Sequence, residues 1–570
     1  MTIYTVGSLV VDCLQANGID TAFGIVSVHN IPIMDSIAQR PQFRMVMTRG
    51  ETGAAHMADG FARASGKMAV VISSTGPGAA NAVPGLVEAR FAATPLLHIT
   101  GQSATSNLDR GKGSVHEVPD QLAMLSATNK AAYRIRSAQE ALAILKRAIL
   151  DAWSPPCGPV SIEIPIDIQR ASVERPDEAN LIAPRPLTRF PEDSEIDRLA
   201  ERVKLAKKPM LWVGGGAKHA GAEIEALLEL GFGMVTSWAG HGIVSDEHPL
   251  NIGPLNGPGS PAIEQLYRDV DLLIVIGSRI RGHEMLDHSC QLPKNLIQID
   301  IDPLADGRTY PNVQFICADC VEVLARLRGK ICNVMRIDPD FRQRVRLAKG
   351  KATSDFRATL GPYKDFPSEL RSVMPRDAVW ARDITLSSST WGHRLFPLYG
   401  PRDNIYPVGA GIGQGLQLAI GAAISGRKTV LLTGDGGFLF NMTELWTAVQ
   451  ENADIVIIVM NDNGYGVIKY MQDAMCNGRR AFGDLLGPDL LKLGDLAGIS
   501  AWRVNSAEEV RTAVANALEV KGPTLVEINM QAIGEFPPYY PYSNMIERAR
   551  AQRQDAANSS DSSINVQKSA

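Results

Sequence analysis

Short apolar runs alternate with glycine-containing turns and longer amphipathic stretches along most of the chain. In the first third, the segment KMAVVISSTGPGAANAVPGLVEARFAATPLLHIT joins a β-branched run to Gly-Pro-Gly, a helical stretch and a second apolar run. This order is typical of a strand–helix–strand unit, in which both strands lie parallel in a sheet covered by helices. The same pattern recurs around KPMLWVGGGAKHAGAEIEALLEL and around KTVLLTGDGGFLF. The chain is therefore predicted to be an α/β protein with three doubly wound parallel-sheet domains.

Breaks in this pattern indicate the domain limits. A linker rich in proline and charge, residues 171–193, separates the first segment from the second. The limit between the second and third segments is less distinct and falls near residues 350–367. From about residue 550 the chain is polar and poor in apolar residues, which predicts a disordered tail. The predicted limits are 1–172 for the first domain, 190–348 for the central domain, 360–545 for the third domain and 550–570 for the tail.

Composition excludes several classes of function. The 570 residues carry a net charge of −4 without a basic cluster, which argues against nucleic acid or an anionic membrane as partner. No apolar stretch reaches the roughly 18–20 residues that span a bilayer. The chain starts without a basic leader region, and its seven cysteines do not form a disulfide framework. A cytoplasmic protein is therefore expected.

Glycines and an aspartate follow the apolar run TVLLT, in the stretch Gly434, Asp435, Gly436 and Gly437. Ligands of open α/β sheets bind at the carboxyl ends of strands, so the position is suggestive. Glycines let a backbone approach a phosphate closely, and a following helix points free N–H groups at it. A strand-to-helix turn requires glycine in any case, so this stretch alone leaves both interpretations open.

A second acidic turn follows the apolar run DIVIIVM. Asp462 comes after Asp435 by about the length of one strand–helix–strand unit, roughly 30 residues, so both carboxylates are expected at one edge of a sheet. At about 4 Å and an effective dielectric constant near 20, they would repel by roughly 4 kcal/mol. Mg2+ removes this penalty and commonly binds one or two carboxylates together with phosphate oxygens. A simple turn at Asn461–Gly464 is the alternative.

Together these stretches resemble the thiamine diphosphate (ThDP)-dependent enzymes, whose signature is GDG, an interval, and a pair such as NN or ND. The signature stands here as GDGGFLFNMTELWTAVQENADIVIIVMND. The resemblance covers about residues 1–545 and is strongest to the acetolactate synthase-like branch. It implies that Asp435, Asp462 and the backbone carbonyl of Gly464 bind Mg2+. It implies that the cofactor contacts Gly411, Ile412, Gly434, Gly436, Gly437, Asn463, Gly464 and Gly466. Core packing is the alternative for Ile412, and both roles are compatible.

The first domain contains RGETGAAHMADGFAR, which includes Glu51. A carboxylate suits the start of a helix, and that alone is one explanation of Glu51. The stretch also resembles the family motif whose glutamate bonds to the pyrimidine ring of the cofactor. The resemblance therefore implies a catalytic Glu51, which tunes the cofactor's own amine as a base. It also implies that Glu51 of one subunit faces the Asp435 domain of another, in a homodimer or homotetramer with active sites at the interface.

Three further residues are predicted to face the substrate: His29, His116 and Gln121. His29 falls where benzaldehyde lyase, a relative, also has a histidine facing the active centre. His116 stands where acetolactate synthases have a glutamine. Either histidine could shuttle protons, because its ordinary pKa is about 6.5. A structural histidine with satisfied hydrogen bonds is the alternative.

The resemblance implies a ThDP- and Mg2+-dependent carboligase or lyase that decarboxylates pyruvate or a similar 2-oxo acid and transfers the acyl carbanion to a carbonyl acceptor. A non-ligating 2-oxo acid decarboxylase and a benzaldehyde lyase-like C–C lyase are alternatives. A non-catalytic paralogue and a nicotinamide- or flavin-dependent oxidoreductase are alternatives from other classes. The stretches VGGGAKHAG and GSRIRG resemble FAD-binding segments of some relatives. Other relatives keep the fold without FAD, so FAD is possible here but not predicted.

Overall fold

The chain folds into three α/β domains, each built on one parallel sheet. The computed structural model describes residues 3–257, 259–285, 288 and 290–537, so the tail predicted at 550–570 lies outside the described residues. Every strand pair described within these sheets is parallel. The prediction of three parallel-sheet α/β domains is therefore confirmed.

The N-terminal domain has a six-stranded sheet in the order β2-β1-β3-β4-β6-β5. Its strands are β1 (Thr21–Gly24), β2 (Arg44–Met47), β3 (Ala69–Ser73), β4 (Leu96–Gln102), β5 (Ala131–Arg134) and β6 (Pro159–Pro165). Its helices are α1 (Val6–Ala16), α2 (Ile31–Ala38), α3 (Glu51–Ser65), α4 (Pro77–Ala92), α5 (Gln121–Thr128), α6 (Ala141–Trp153), α7 (Ile166–Arg170) and α8 (Glu178–Leu181). The strand order reverses between β1 and β3, where open α/β sheets form a crevice at their carboxyl ends.

The central domain has a five-stranded sheet in the order β11-β10-β9-β7-β8. Its strands are β7 (Pro209–Val213), β8 (Gly233–Thr236), β9 (Leu272–Ile276), β10 (Leu296–Asp300) and β11 (Gln314–Cys317). Its helices are α9 (Asp193–Leu205), α10 (Gly221–Leu230), α11 (Pro261–Asp269), α12 (Cys320–Ile331) and α13 (Phe341–Ala358). Helix α13 crosses residue 348, where the sequence predicts the end of this domain, and packs against α11. The predicted domain limits stay predictions.

The C-terminal domain repeats the N-terminal topology, with the strand order β13-β12-β14-β15-β17-β16. Its strands are β12 (Val379–Arg382), β13 (Asn404–Ile405), β14 (Thr429–Gly434), β15 (Ile455–Asn461), β16 (Ala501–Val504) and β17 (Thr524–Asn529). Its helices are α14 (Phe366–Val373), α15 (Gly415–Ile424), α16 (Asp435–Phe440), α17 (Leu445–Gln450), α18 (Gly466–Met475), α19 (Leu490–Ala497), α20 (Val510–Glu519) and α21 (Met530–Ile533). The strand order reverses between β12 and β14, which places a crevice beside the start of α16.

The N- and C-terminal domains share one hydrophobic core, in which α3 packs against α15. The two helices approach so closely that only glycine fits at the contact. A Cβ placed on Gly60 would lie 1.9 Å from the carbonyl oxygen of Leu418, and one on Gly421 would lie 1.9 Å from that of Met57. None of the helices in the described part of the chain is long and apolar enough to cross a membrane.

Candidate active site

Two carboxylates meet at the carboxyl edge of the C-terminal sheet. Asp435 is the first residue of α16, directly after β14, and Asp462 follows β15, the neighbouring parallel strand. The backbone N–H of Gly464 donates to Oδ2 of Asp435 at 2.9 Å. The other oxygen of Asp435, Oδ1, is buried and has no hydrogen-bond partner among the described residues. A buried, unpaired carboxylate oxygen is costly unless a ligand completes its contacts, so this geometry suits a cation.

The charges of this pair also suit a divalent cation. Burial and the neighbouring Asp435 raise the pKa of Asp462 to about 7, and burial raises the pKa of Asp435. Two carboxylates held this close retain a proton unless a cation neutralises them. Oxygen ligands from two carboxylates and one backbone carbonyl are the donors that Mg2+ prefers. Asp435, Asp462 and Gly464 therefore fit a magnesium site.

The predicted glycines surround this pair, and several of them are required by close packing. A Cβ on Gly436 would lie 2.8 Å from the ring of Tyr465, and one on Gly466 would lie 2.4 Å from Oδ2 of Asp462. Asn463 has a left-handed backbone with φ of 54°, which asparagine tolerates better than most residues. The turn interpretation of this stretch is thus correct, and the same turn brings Asp462 to Asp435.

A cavity of about 460 Å3 opens beside the carboxylates. Its lining includes the predicted residues Ile412, Gly434, Gly436, Gly437, Asp462, Gly464 and Gly466. Its walls are otherwise mainly apolar, from Leu386, Phe440, Met460, Val467, Ile468 and Met530. Ile412 is 37% exposed, so it faces this space and is not sealed in the core. The lining that the structure describes comes from the C-terminal domain alone.

The loop that carries Ile412 is held by Asp383, which no motif of the sequence indicates. Asp383 follows β12 and is buried, and its carboxylate accepts hydrogen bonds from the backbone N–H groups of Ile384 and Gly413 at 2.6 and 3.0 Å. Burial raises the pKa of Asp383 to about 6. A Cβ placed on Gly437 would lie 2.8 Å from Oδ2 of Asp383. Asp383 thus ties the Ile412 loop to the glycine turn at the start of α16.

Two buried charges of the N-terminal domain hold the segment that leads into the same loop. Arg63 donates to the carbonyl oxygen of Tyr406 at 2.7 Å. Glu88, which pairs with Arg63, accepts from the backbone N–H groups of Val408 and Gly409 at 2.6 and 2.8 Å. The cavity wall is therefore positioned by two domains, although its lining belongs to one.

Glu51 is the first residue of α3, as predicted, and it is buried. Its Oε2 accepts a hydrogen bond from Asn81 at 3.4 Å. The start of α3 lacks a capping side chain of its own, and Glu444 of the C-terminal domain accepts from the backbone N–H of Arg49 at 3.1 Å. Glu51 does not belong to the lining described for the cavity.

His29 and His116 lie together, with ring centroids 5.3 Å apart. His29 follows β1, and its Nδ1 is buried without a partner among the described residues. His116 has φ of 65°, and its Nδ1 lies 3.3 Å from the hydroxyl of Ser74. Burial and the neighbouring His116 lower the pKa of His29. The sequence predicts each histidine to face the substrate, and the structure adds that the two rings lie against each other.

Gln121 lies in a hydrogen-bond network inside the N-terminal domain. It is buried, and its side-chain oxygen accepts from the Gly76 backbone N–H at 2.6 Å. Its nitrogen donates to Oε1 of Glu163 at 2.7 Å. Both ends of the amide are thus bonded inside the domain, and the substrate-facing role of Gln121 stays a prediction.

In the central domain, packing explains the glycines of VGGGAKHAG. A Cβ on Gly214 would lie 2.2 Å from the carbonyl oxygen of Gly277, and one on Gly216 would lie 3.0 Å from the same atom. The turns after β7 and β9 therefore touch backbone to backbone. Close packing alone requires glycine at these positions, so the glycines by themselves do not indicate whether a ligand binds here.

Comparison with known proteins covers all three domains. Family models of the thiamine pyrophosphate enzymes match as the N-terminal TPP binding domain at residues 4–124, the central domain at 196–327 and the C-terminal TPP binding domain at 386–528. The chain is 30% identical to the probable 2-ketoarginine decarboxylase AruI of Pseudomonas aeruginosa, over 92% of this chain and 94% of that protein. It is 28% identical to the large subunit of acetolactate synthase isozyme 1 of Escherichia coli, over 94% of this chain and 96% of that protein. The chain therefore belongs to the thiamine pyrophosphate enzyme family, as an acetolactate synthase-like member.

Proposed function

We propose that the protein is a ThDP- and Mg2+-dependent enzyme that decarboxylates pyruvate or a similar 2-oxo acid and transfers the acyl group to a carbonyl acceptor. One observation carries the proposal: buried Asp435, whose Oδ1 has no partner among the described residues, follows the strand next to that of Asp462, and Asp462 lines a glycine-rich cavity. In that arrangement a cation and a diphosphate could bind next to each other at one edge of the sheet.

In this proposal, Asp435, Asp462 and the carbonyl oxygen of Gly464 hold Mg2+. Gly434, Gly436 and Gly437 give the diphosphate access to backbone N–H groups at the start of α16, where the helix dipole also favours negative charge. ThDP, when bound, supplies the electron sink that allows a 2-oxo acid to lose CO2. The remaining predicted cofactor contacts are Gly411, Ile412, Asn463 and Gly466.

Glu51 is proposed as the carboxylate that acts on the cofactor's pyrimidine, supplied by a second copy of the chain. Support comes from the cavity lining, which lies in the C-terminal domain and lacks Glu51. Apolar side chains near the histidine pair are also exposed, with Val26 at 50%, Val28 at 60% and Val115 at 68%. A subunit seated over this face would cover them, which favours a homodimer or homotetramer with shared active sites.

His29 and His116 are proposed to handle protons of the substrate. The lowered pKa of His29 keeps its ring neutral near pH 7, so its unpaired Nδ1 is free to accept or donate one hydrogen bond. His116, beside it, offers a second ring for the same proton. A neutral imidazole with a second histidine ring beside it suits proton transfer close to physiological pH.

The second candidate function is a decarboxylase that releases an aldehyde without ligation, and a benzaldehyde lyase-like C–C lyase is related to it. The relative named as a probable 2-ketoarginine decarboxylase supports this candidate. The histidine pair supports it too, because a non-ligating decarboxylase must deliver a proton where a carboligase delivers an acceptor.

A panel of 2-oxo acids tests both candidates. Pyruvate, branched-chain 2-oxo acids and 2-ketoarginine are incubated with the enzyme, ThDP and Mg2+, with and without an aldehyde or 2-oxo acid acceptor. Carboligation predicts an acyloin or 2-hydroxy-3-oxo acid that requires the acceptor. Simple decarboxylation predicts CO2 and an aldehyde at the same rate without it. Absence of ThDP-dependent turnover of every substrate would refute the proposed function.

A further inference from the structure

One short turn of the N-terminal domain touches two of the groups proposed to act in the reaction, Glu51 and His116. We define the β3–α4 turn as residues Ser74–Gly78. A Cβ on Gly78 would lie 2.7 Å from Oε1 of Glu51, so the turn lies directly against that carboxylate. At its other end, the Ser74 hydroxyl lies 3.3 Å from Nδ1 of His116, and a Cβ on Gly76 would lie 2.0 Å from the His116 carbonyl oxygen.

The turn has a backbone shape that needs external support. Gly76 has φ of 56° and ψ of −112°, a conformation open to glycine and strained for other residues. Gly76 precedes α4 and is its N-cap, but it brings no side chain that could bond to the helix end. The support comes from Gln121, whose side-chain oxygen accepts both the Gly76 N–H at 2.6 Å and the Thr75 hydroxyl at 2.9 Å.

Gln121 is itself fixed by a buried carboxylate. Its amide nitrogen donates to Oε1 of Glu163 at 2.7 Å, and the other oxygen of Glu163 pairs with Arg134 at 2.5 Å. Glu163 is buried in β6, so the amide cannot rotate without leaving a buried donor unpaired. Through Gln121, Glu163 in the sheet thereby fixes the position of the Gly76 backbone nitrogen in the β3–α4 turn.

We propose that Gln121 is a positioning residue of the active site, which holds the β3–α4 turn so that Glu51 and His116 keep a fixed relation to each other. The inference rests on the proposed function for the roles of those two groups. It differs from a general packing role, because the contact that matters is one hydrogen bond, from the Gly76 N–H to the Gln121 oxygen.

Gln102 provides a matched control. It is buried to 6% exposure, against 1% for Gln121, and its nitrogen also donates to Oε1 of Glu163, at 2.9 Å. Its oxygen lies 3.1 Å from the same Thr75 hydroxyl. It also accepts the Ser103 N–H at 2.7 Å, and it makes no hydrogen bond to Gly76 among the contacts described. Both Gln121→Leu and Gln102→Leu therefore remove a contact to Glu163 and one to Thr75. Gln121→Leu alone removes the Gly76 bond, together with a long contact of 3.5 Å to the Gly101 carbonyl oxygen.

The first measurement is amide hydrogen exchange of residues 74–78 in the protein without cofactor. Gln121→Leu should accelerate exchange in this segment, and Gln102→Leu should leave it near the wild-type rate. The second measurement is turnover of the best substrate at saturating ThDP and Mg2+. Gln121→Leu should lower kcat by about 10–100-fold relative to Gln102→Leu, as misplacement by about 1 Å does in active sites, with little change in KM. Equal loss in both variants, or an unchanged kcat in Gln121→Leu, would overturn the inference.

Gln121→Glu serves if the leucine variant does not fold. It keeps an oxygen for Gly76 but places a carboxyl group against Glu163, which already faces Arg134. Two carboxyls at this distance coexist only with a shared proton, so kcat relative to wild type should approach unity at low pH and fall as pH rises. A ratio independent of pH would contradict the positioning role. If the wild type has no ThDP-dependent activity, the proposed function fails, whereas the exchange experiment still tests the turn.

Discussion

The backbone N–H of Gly464 donates to Oδ2 of Asp435 at 2.9 Å, which joins the turn after β15 to the start of α16. This bond orients Asp435 before any cation arrives and leaves its Oδ1 free. The proposed metal site is therefore preorganised by the backbone, and a change at Asp462 should affect ion retention more than assembly of the turn.

Asp462→Asn should keep activity while weakening Mg2+ retention, because the amide oxygen still binds a cation but the negative charge is lost. Asp462→Ala should lose both cofactor and activity. Bound ThDP after gel filtration, and activity as a function of added Mg2+, measure the two effects. Normal retention of ThDP and Mg2+ in Asp462→Ala would mean that Asn461–Gly464 is a turn and nothing more.

Glu51→Gln should lower kcat by roughly 10²–10⁴-fold, the usual contribution of acid–base catalysis. ThDP binding should change little, because the cavity is lined by the C-terminal domain. Steady-state kinetics and a ThDP titration by intrinsic fluorescence separate these quantities. A loss of ThDP affinity with unchanged kcat would assign Glu51 to binding instead.

Mixing two inactive variants tests the shared active site. If Glu51 and Asp462 of one site come from different subunits, refolding Glu51→Gln together with Asp462→Ala should restore about a quarter of wild-type activity, since about half of randomly formed dimers are mixed and each holds one intact site. Each variant refolded alone is the control. No recovery on mixing would place both residues of a site in one chain.

Gly60→Ala should destabilise the protein strongly, because the added Cβ would lie 1.9 Å from the Leu418 carbonyl and would force α3 away from α15. Gly329→Ala is the control, since Gly329 lies in α12 with no atom within 4 Å of an added Cβ. It should be neutral or stabilising by up to about 1 kcal/mol through helix propensity. Urea unfolding compares the free energies of unfolding. Similar effects of the two alanines would show that the α3–α15 contact tolerates separation.

The free energy of unfolding should decrease as pH falls, because His98 is buried and resists protonation in the folded state. Burial lowers the pKa of His98 from about 6.5 to about 3, so the unfolded chain binds its proton first as pH falls through this window. The free energy of unfolding should therefore fall between pH 6.5 and pH 3, by about 1.4 kcal/mol per pH unit for each such histidine. His56 has the same lowered pKa and adds an equal share. His98→Gln should reduce this slope in urea unfolding, and an unchanged slope would contradict the assignment.

Local sequence patterns are sufficient to predict that Asp435 and Asp462 lie at the same edge of the C-terminal sheet. A strand–helix–strand unit returns parallel to its start, so the spacing alone brings the two strand ends together. The helix start at Glu51 was equally local, because a glycine and an acidic residue precede an alanine-rich helical stretch.

The side chains that hold the loops of the site, such as Glu88 and Gln121, cannot be predicted in this way, because their hydrogen-bond partners are remote in the chain. Glu88 bonds to Val408 across 320 positions, and no periodicity marks a contact of that span. The hydrogen bonds of Gln121 cannot be predicted from the sequence for a related reason. The local sequence does not show whether a glutamine is bonded inside a domain or faces the substrate. Only the positions of Gly76 and Glu163 in the fold show where the Gln121 amide is bonded.

The α3–α15 contact also affects the order in which the chain can fold during synthesis. Helix α3 ends at Ser65, whereas its partner α15 begins at Gly415, about 350 residues later. At translation rates of about 5–20 residues per second, roughly 20–70 s pass before the ribosome delivers that partner. Throughout this interval the alanine- and glycine-rich face of α3 has no partner to bury it. We therefore expect the nascent N-terminal domain to keep an exposed apolar helix face until the last third of the chain emerges, which is the kind of surface that chaperones shield.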